Sequence, residues 1–155
     1  MKKSLLLIGV ILSFCACVGA KQDGKAQSSD AGKKSLDYKV LLEDSYGGTD
    51  TAENRVITNQ EELEKVYGII NRTRRPGIEV PQVDFAENMV VAVFMGQRSS
   101  GGNRVEIEKI EETTDAIQVY VRKVQPGEGD MTSMAITNPF IFAELPRSDK
   151  EVVFK

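Results

Sequence analysis

Residues 88–95 read Asn88-Met89-Val90-Val91-Ala92-Val93-Phe94-Met95, followed by Gly96-Gln97-Arg98-Ser99-Ser100-Gly101-Gly102-Asn103 and then Arg104-Val105-Glu106-Ile107-Glu108. The first segment is an apolar run rich in β-branched residues, too short for a membrane span. It predicts a strand covered on both faces. The last segment alternates strictly, which predicts a half-buried strand with Val105 and Ile107 inward and Arg104, Glu106 and Glu108 outward. The glycine-bearing loop between them is the first candidate for a functional feature, because a rigid strand can present its backbone in a defined shape.

Outward from that stretch, Ile110 breaks the alternation set by Val105 and Ile107, predicting a bulge or the strand's end. Residues 111–115 are polar and suit a hairpin turn. Ile117, Val119 and Val121 then alternate with Gln118, Tyr120 and Arg122, so this strand is expected beside residues 104–108 in antiparallel pairing. Gln125-Pro126-Gly127-Glu128-Gly129-Asp130 reads as a flexible loop. Residues 137–146 read as a turn entering a strand that stops at Pro146, and residues 151–155 as a short closing strand.

Towards the N-terminus, Val83 and Phe85 are expected to seat the entry to the central strand in the core. Residues 71–82 form a loop holding Arg72, Arg74 and Arg75, expected to be solvated and to balance Glu61, Glu62 and Glu64. Before it, Thr58 followed by Glu61 has capping-box spacing, and Leu63, Val66, Tyr67 and Ile70 recur at helical spacing. A helix is predicted over residues 60–67, ending between Tyr67 and Ile70 because Gly68 weakens the last turn. Residues 38–43 and 55–57 read as strands flanking a polar loop. The resulting fold class is α+β: a mostly antiparallel β-sheet domain with one N-terminal-side helix packed on it.

The first 17 residues have a different character. Lys2-Lys3 precede an apolar core, Leu5 to Leu12, that is shorter than the ~18 residues a spanning helix needs. Both cysteines of the chain, Cys15 and Cys17, stand just beyond it, so a body beginning after them has no internal disulfide. This arrangement resembles a bacterial lipoprotein signal. Cys17, after small Ala16, is the expected lipidated residue, although Phe14 stands where the pattern prefers an aliphatic. Residues 18–37 are polar, Gly- and Ser-bearing, and are expected to be a flexible tether. The organisation expected is thus a signal over residues 1–17, a tether over 18–37 and a β-rich domain over 38–155, lipid-anchored in the bacterial envelope and lying in the periplasm or at the cell surface.

Several pieces together resemble a known family: Asp84-Phe85, Val90 to Gly96, Ser99-Ser100-Gly101-Gly102, Val105 to Ile110, Gln125-Pro126-Gly127 and Pro139 to Pro146. In order and spacing they are similar to the C-terminal domain family of PrcB, a lipoprotein component associated with a bacterial surface protease complex. The family loop typically carries a threonine before its glycines and an aromatic after them, where this chain has Ser99-Ser100 and Asn103. The family's late strand usually has tyrosine after proline, and here it is Phe140. The resemblance implies an exported accessory protein that binds or stabilises a protease partner, and it implies no catalysis.

The composition narrows the chemistry in the same direction. The 155-residue chain has no histidine and a formal charge of -3, so the usual serine and cysteine triads and most zinc sites cannot be built, and nothing suggests nucleic acid. Ser99, Ser100 and Ser133 have no evident base beyond Lys109 or Lys123, and Glu111-Glu112 looks like an exposed turn. No enzyme activity and no cofactor or metal is expected. The expected partner is a protein, with a surface protease the leading candidate. The contact residues expected are Gln97, Arg98, Ser99, Ser100, Gly101, Gly102 and Asn103, with Met131 and Met134 as an adaptable second patch. Two other readings stand beside it. One is a chagasin-like cysteine-protease inhibitor, which requires its three loops to gather at one end. The other is a structural envelope lipoprotein or a binder of glycans or small ligands.

Overall fold

The computed structural model describes residues 32–155. The strands are β1 (Lys34–Leu36), β2 (Lys39–Asp44), β3 (Glu53–Ile57), β4 (Asn88–Phe94), β5 (Arg104–Glu112), β6 (Ala116–Val124), β7 (Phe140–Pro146) and β8 (Glu151–Phe154), with helix α1 (Gln60–Ile70) between β3 and β4. They form two four-stranded sheets, ordered β1-β5-β6-β8 and β2-β7-β4-β3. All neighbours are antiparallel except β6 and β8, which run parallel. The expected α+β class is present. The sheet is divided into two stacked layers, and the helix covers the outer face of one of them.

Strand β4 is covered on both faces, by the opposite sheet on one side and by α1 on the other, which is why it lacks polar alternation. Met89, Val91, Val93 and Met95 pack with Ile141, Ala143 and Leu145 of β7 against Val105, Ile107, Ile110, Ile117 and Val119 of the opposite sheet. The intervening residues Val90, Ala92 and Phe94 turn the other way and join Phe140 and Phe142 beneath Leu63, Val66, Tyr67 and Ile70 of α1. Each large apolar side chain withdrawn from water here contributes about 1.5–3 kcal/mol. The aromatic cluster in the helix-side layer is tight: Phe142 lies 5.6 Å from both Tyr67 and Phe94, and 5.1 Å from Phe140, between ring centroids. Val83 and Phe85 pack against this layer as expected.

Several boundaries differ from expectation. Lys34–Leu36 lies within the stretch expected to be tether, yet it is strand β1, paired with Ile110 to Glu112 of β5. Its backbone hydrogen bonds substitute for the missing apolar pattern. The signal, Cys17 and residues 18–31 lie outside the described residues. The helix ends at Ile70, within the expected range, but its N-cap is Asn59, whose Oδ1 accepts from the Glu62 amide at 2.9 Å. The cap pair is thus one residue later than Thr58 and Glu61. Ile110 follows a bulge between Ile107 and Lys109, and β5 continues past it to Glu112. Glu111 and Glu112 therefore belong to the strand, not to the turn, and are paired with Lys109 and Lys150.

The arginine-rich loop is also bound differently from expectation. Arg72 Nε donates to the Ile69 carbonyl and Arg75 Nη1 to the Arg74 and Asn71 carbonyls. Both are cations placed at the helix C-terminus, where they suit the dipole. Arg74 pairs with Asp44 at 2.8 Å, tying the loop after the helix to the end of β2. Glu61 is instead matched by Lys65, one helical turn on, at 2.7 Å.

Candidate functional site

The strand register brings one set of loops to one end of the sandwich. Phe94, the last residue of β4, stands opposite Glu53 at the start of β3 and Phe140 at the start of β7, which in turn stands opposite Asp44 at the end of β2. In the other sheet Arg104 at the start of β5 faces Val124 at the end of β6. The loops 45–52, 95–103 and 125–139 therefore emerge together. The three loops expected of an inhibitor-like end are the Ser/Gly-rich 97–103 loop, the Gly127–Gly129 loop and the Asn138-Pro139-Phe140 turn. All lie at this end, the last two as parts of the one connection between β6 and β7, and the third separate loop here is 45–52 instead.

These loops are tied to each other by backbone hydrogen bonds. The Arg98 amide donates to the Thr137 carbonyl at 2.8 Å, and the Thr137 amide returns a bond to Arg98 at 3.0 Å. The Gly101 amide donates to the Ser133 carbonyl at 3.0 Å. Gln97 donates to the Asp50 carbonyl, and Asn138 donates through its amide to Ser45 and through Nδ2 to Asp50. Thr137 and Asn103 are buried polar residues. The Thr137 hydroxyl and Asn103 Nδ2 both donate to the Ser100 carbonyl, at 3.0 and 2.9 Å, so neither is left without a partner.

The expected contact residues separate into two groups on this scaffold. Gly101 and Asn103 are buried, while Gln97, Ser99 and Gly102 are exposed, with Arg98 and Ser100 between. The chain that approaches Gly101 closely is the protein's own: a Cβ there would lie 2.4 Å from Ser133 Oγ. Gly102 has φ +79°, a conformation costly to other residues, and lies against Pro126. Met131 and Met134 carry no such load. They are fully exposed, at 102% and 99%, and Ile136 beside them is 61% exposed. Ile136 and the 45–52 loop were missed by sequence reasoning, although Gly47-Gly48 repeats the paired-glycine signal of Gly101-Gly102.

Behind the 95–103 loop lies a depression of about 310 Å3, lined by Arg98, Ser99, Ser100, Asn103, Gln125 and Pro126. Arg98 Nη2 donates to the Met95 carbonyl at 2.9 Å, while its Nε is buried without a partner. Catalytic options are thin. Lys109 is hydrogen-bonded to Glu111, which holds its pKa above the ordinary lysine value, the opposite direction from the lowering a lysine general base requires. Among the described residues no group of three or more Cys, Asp or Glu is placed to hold a metal ion, and no helix is long and apolar enough to cross a membrane.

The described residues thus form a two-sheet α+β sandwich whose loops at one end are braced to one another and carry the exposed Met131 and Met134. Residues 89–146, from β4 to the end of β7, match the family model described as PrcB C-terminal. Over that stretch the chain is similar to that family, and the match covers 58 of the chain's 155 residues. The matched stretch contains Met131 and Met134 and the whole 95–103 loop. No curated protein and no solved structure matches the chain significantly.

Proposed function

We propose that this chain is a non-catalytic, lipid-anchored envelope protein whose loop-bearing end binds a protein partner, with a surface protease the leading candidate. One observation carries the reading: Met131 and Met134 are fully exposed on a segment pinned to the strand ends through the Gly101–Ser133 and Arg98–Thr137 hydrogen bonds. Exposed methionines adapt to varied apolar surfaces, and pinning their segment lowers the ordering cost of binding. The match of residues 89–146 to the family model described as PrcB C-terminal supports the same direction.

The test is affinity capture of the full-length lipoprotein from its native envelope, comparing the wild type with M131D/M134D. A stoichiometric protein partner lost in the equally stable variant is the expected result. Repeated absence of any stoichiometric partner overturns the reading, and a partner retained by the variant moves the contact elsewhere. Anchoring is tested separately: Cys17→Ala is expected to abolish acyl labelling and release the chain from the membrane fraction.

The gathering of the three loops at one end also favours the chagasin-like reading, in which they enter a protease cleft. Inhibition of papain by the purified chain supports that version, and full papain activity in its presence removes it.

A further inference from the structure

We propose that the depression beside Arg98 is a receptor for a carboxylate group of the partner polypeptide, either an acidic side chain or a chain terminus. This deepens the docking reading above and rests on it. Arg55, Arg74, Arg104 and Arg122 each form an ion pair with a carboxylate. Arg72, Arg75 and Arg147 donate to carbonyls, but all three are exposed, so water solvates their charge. Arg98 is the half-buried arginine that has only a carbonyl acceptor.

A guanidinium partly withdrawn from water without a counter-charge bears a desolvation cost that an incoming anion relieves. Arginine's planar fork matches a carboxylate with two parallel hydrogen bonds. The rest of the lining suits the same ligand. Ser99, Ser100, Asn103, Gln125 and Pro126 include no acid to repel an anion. No protein group hydrogen-bonds to the side chains of Ser99 and Gln125 among the described residues, which leaves a hydroxyl and an amide donor free for it. The site is also held in place: the Arg98 backbone is bridged to Thr137 in both directions, and Asn103 and Thr137 fix the Ser100 carbonyl. A volume of about 310 Å3 accommodates a carboxylate and the methylenes that carry it. With Met131, Met134 and Ile136 on the same end, the partner epitope this surface fits is an acidic group beside apolar side chains.

The test is NMR of the labelled full chain in detergent micelles, titrated with acetate, N-acetyl-glutamate α-amide, N-acetyl-glutamine α-amide and inorganic phosphate. The expected result is saturable shifts at the Arg98 Nε–H and at the Ser99, Ser100 and Asn103 amides with both carboxylates, and none with the glutamine probe. Arg98→Gln, with its β4 and β7 resonances unmoved to show that it is folded, should bind the glutamate probe at least about tenfold more weakly, equivalent to about 1.4 kcal/mol. Equal shifts with glutamine, no saturation with any carboxylate, saturation unaltered in Arg98→Gln, or tighter binding of phosphate than of either carboxylate each overturns the proposal. These small probes do not touch the methionine surface. Failure here with partner capture intact removes the carboxylate receptor alone, whereas failed capture removes the docking reading.

Discussion

The Gly48 amide donates to the Asn138 carbonyl at 3.0 Å, and a Cβ on Gly48 would lie 2.5 Å from that same oxygen. The loop after β2 is thus closed onto the turn before β7 with no room for a side chain. Because the obstacle is backbone, Gly48→Ala must open the hydrogen bond or displace the turn, at a cost of about 1–3 kcal/mol. Gly101→Ala meets only the Ser133 hydroxyl, which can rotate away, and should stay within about 0.5 kcal/mol of the wild type. Urea denaturation of the two variants decides the matter. Equal midpoints would mean that the two loop closures are equally rigid or equally soft.

A second prediction separates two neighbouring cap candidates. Asn59 Oδ1 accepts from the Glu62 amide, while Thr58 contributes its backbone amide to the Glu62 carboxylate at 3.4 Å. Asn59→Ala should therefore lower stability by about 1 kcal/mol. Thr58→Ala should cost less than about 0.5 kcal/mol, since no cap bond runs through its hydroxyl. The reverse order in thermal or urea unfolding would restore Thr58 as the cap.

That pair shows where the sequence stops being legible. Thr58 and Asn59 are both good caps, and Glu61 and Glu62 each stand three residues later, so local chemistry cannot choose between two registers one residue apart. The central strand was legible because an apolar run with no polar face has to be covered on both sides. The alternation in β5 and β6 revealed one buried face for each but not which sheet that face meets, so the two-layer division stayed hidden. The polar Lys34-Ser35 of β1 carries no strand pattern, and the four residues of β8 carry no sign of parallel pairing. In the loops, the glycines were visible as points of close approach. That the approaching chain was residues 132–133 required the fold.

The methionines supply a chemical prediction. A hydroperoxide transfers one oxygen atom to a thioether sulfur and leaves as water or alcohol, so the rate depends on access to the sulfur. Met131 and Met134 are fully exposed, whereas Met89 and Met95 are at 1% and 0% in the inter-sheet core. Limited hydrogen peroxide should therefore add oxygen to Met131 and Met134 before Met89 and Met95, with little change in the unfolding midpoint. Peptide mapping by mass spectrometry reads the order. Early oxidation of Met89 or Met95 would mean that the sandwich opens readily.

The acid limb of stability follows from the charged outer face of β5 and β6. Hydrogen bonds from Arg104, and next from Arg122, hold the Glu106 carboxyl below its ordinary value of 4.5. Lys150 does the same for Glu112. A carboxyl whose pKa is depressed on folding contributes its full stabilisation above the unfolded value, and that contribution is lost as pH falls through the folded value. The urea midpoint should therefore begin to fall as the pH drops past 4.5, the value from which Glu106 is lowered. Because both carboxylates are on the surface, the effect should also weaken with added salt. Glu106→Gln removes one contributing group, so its midpoint should lie below the wild type at neutral pH and converge with it in acid. Parallel curves for the two proteins across the whole range would mean that Glu106 titrates alike in the folded and unfolded chains, and that its arginine contacts contribute nothing to the acid limb.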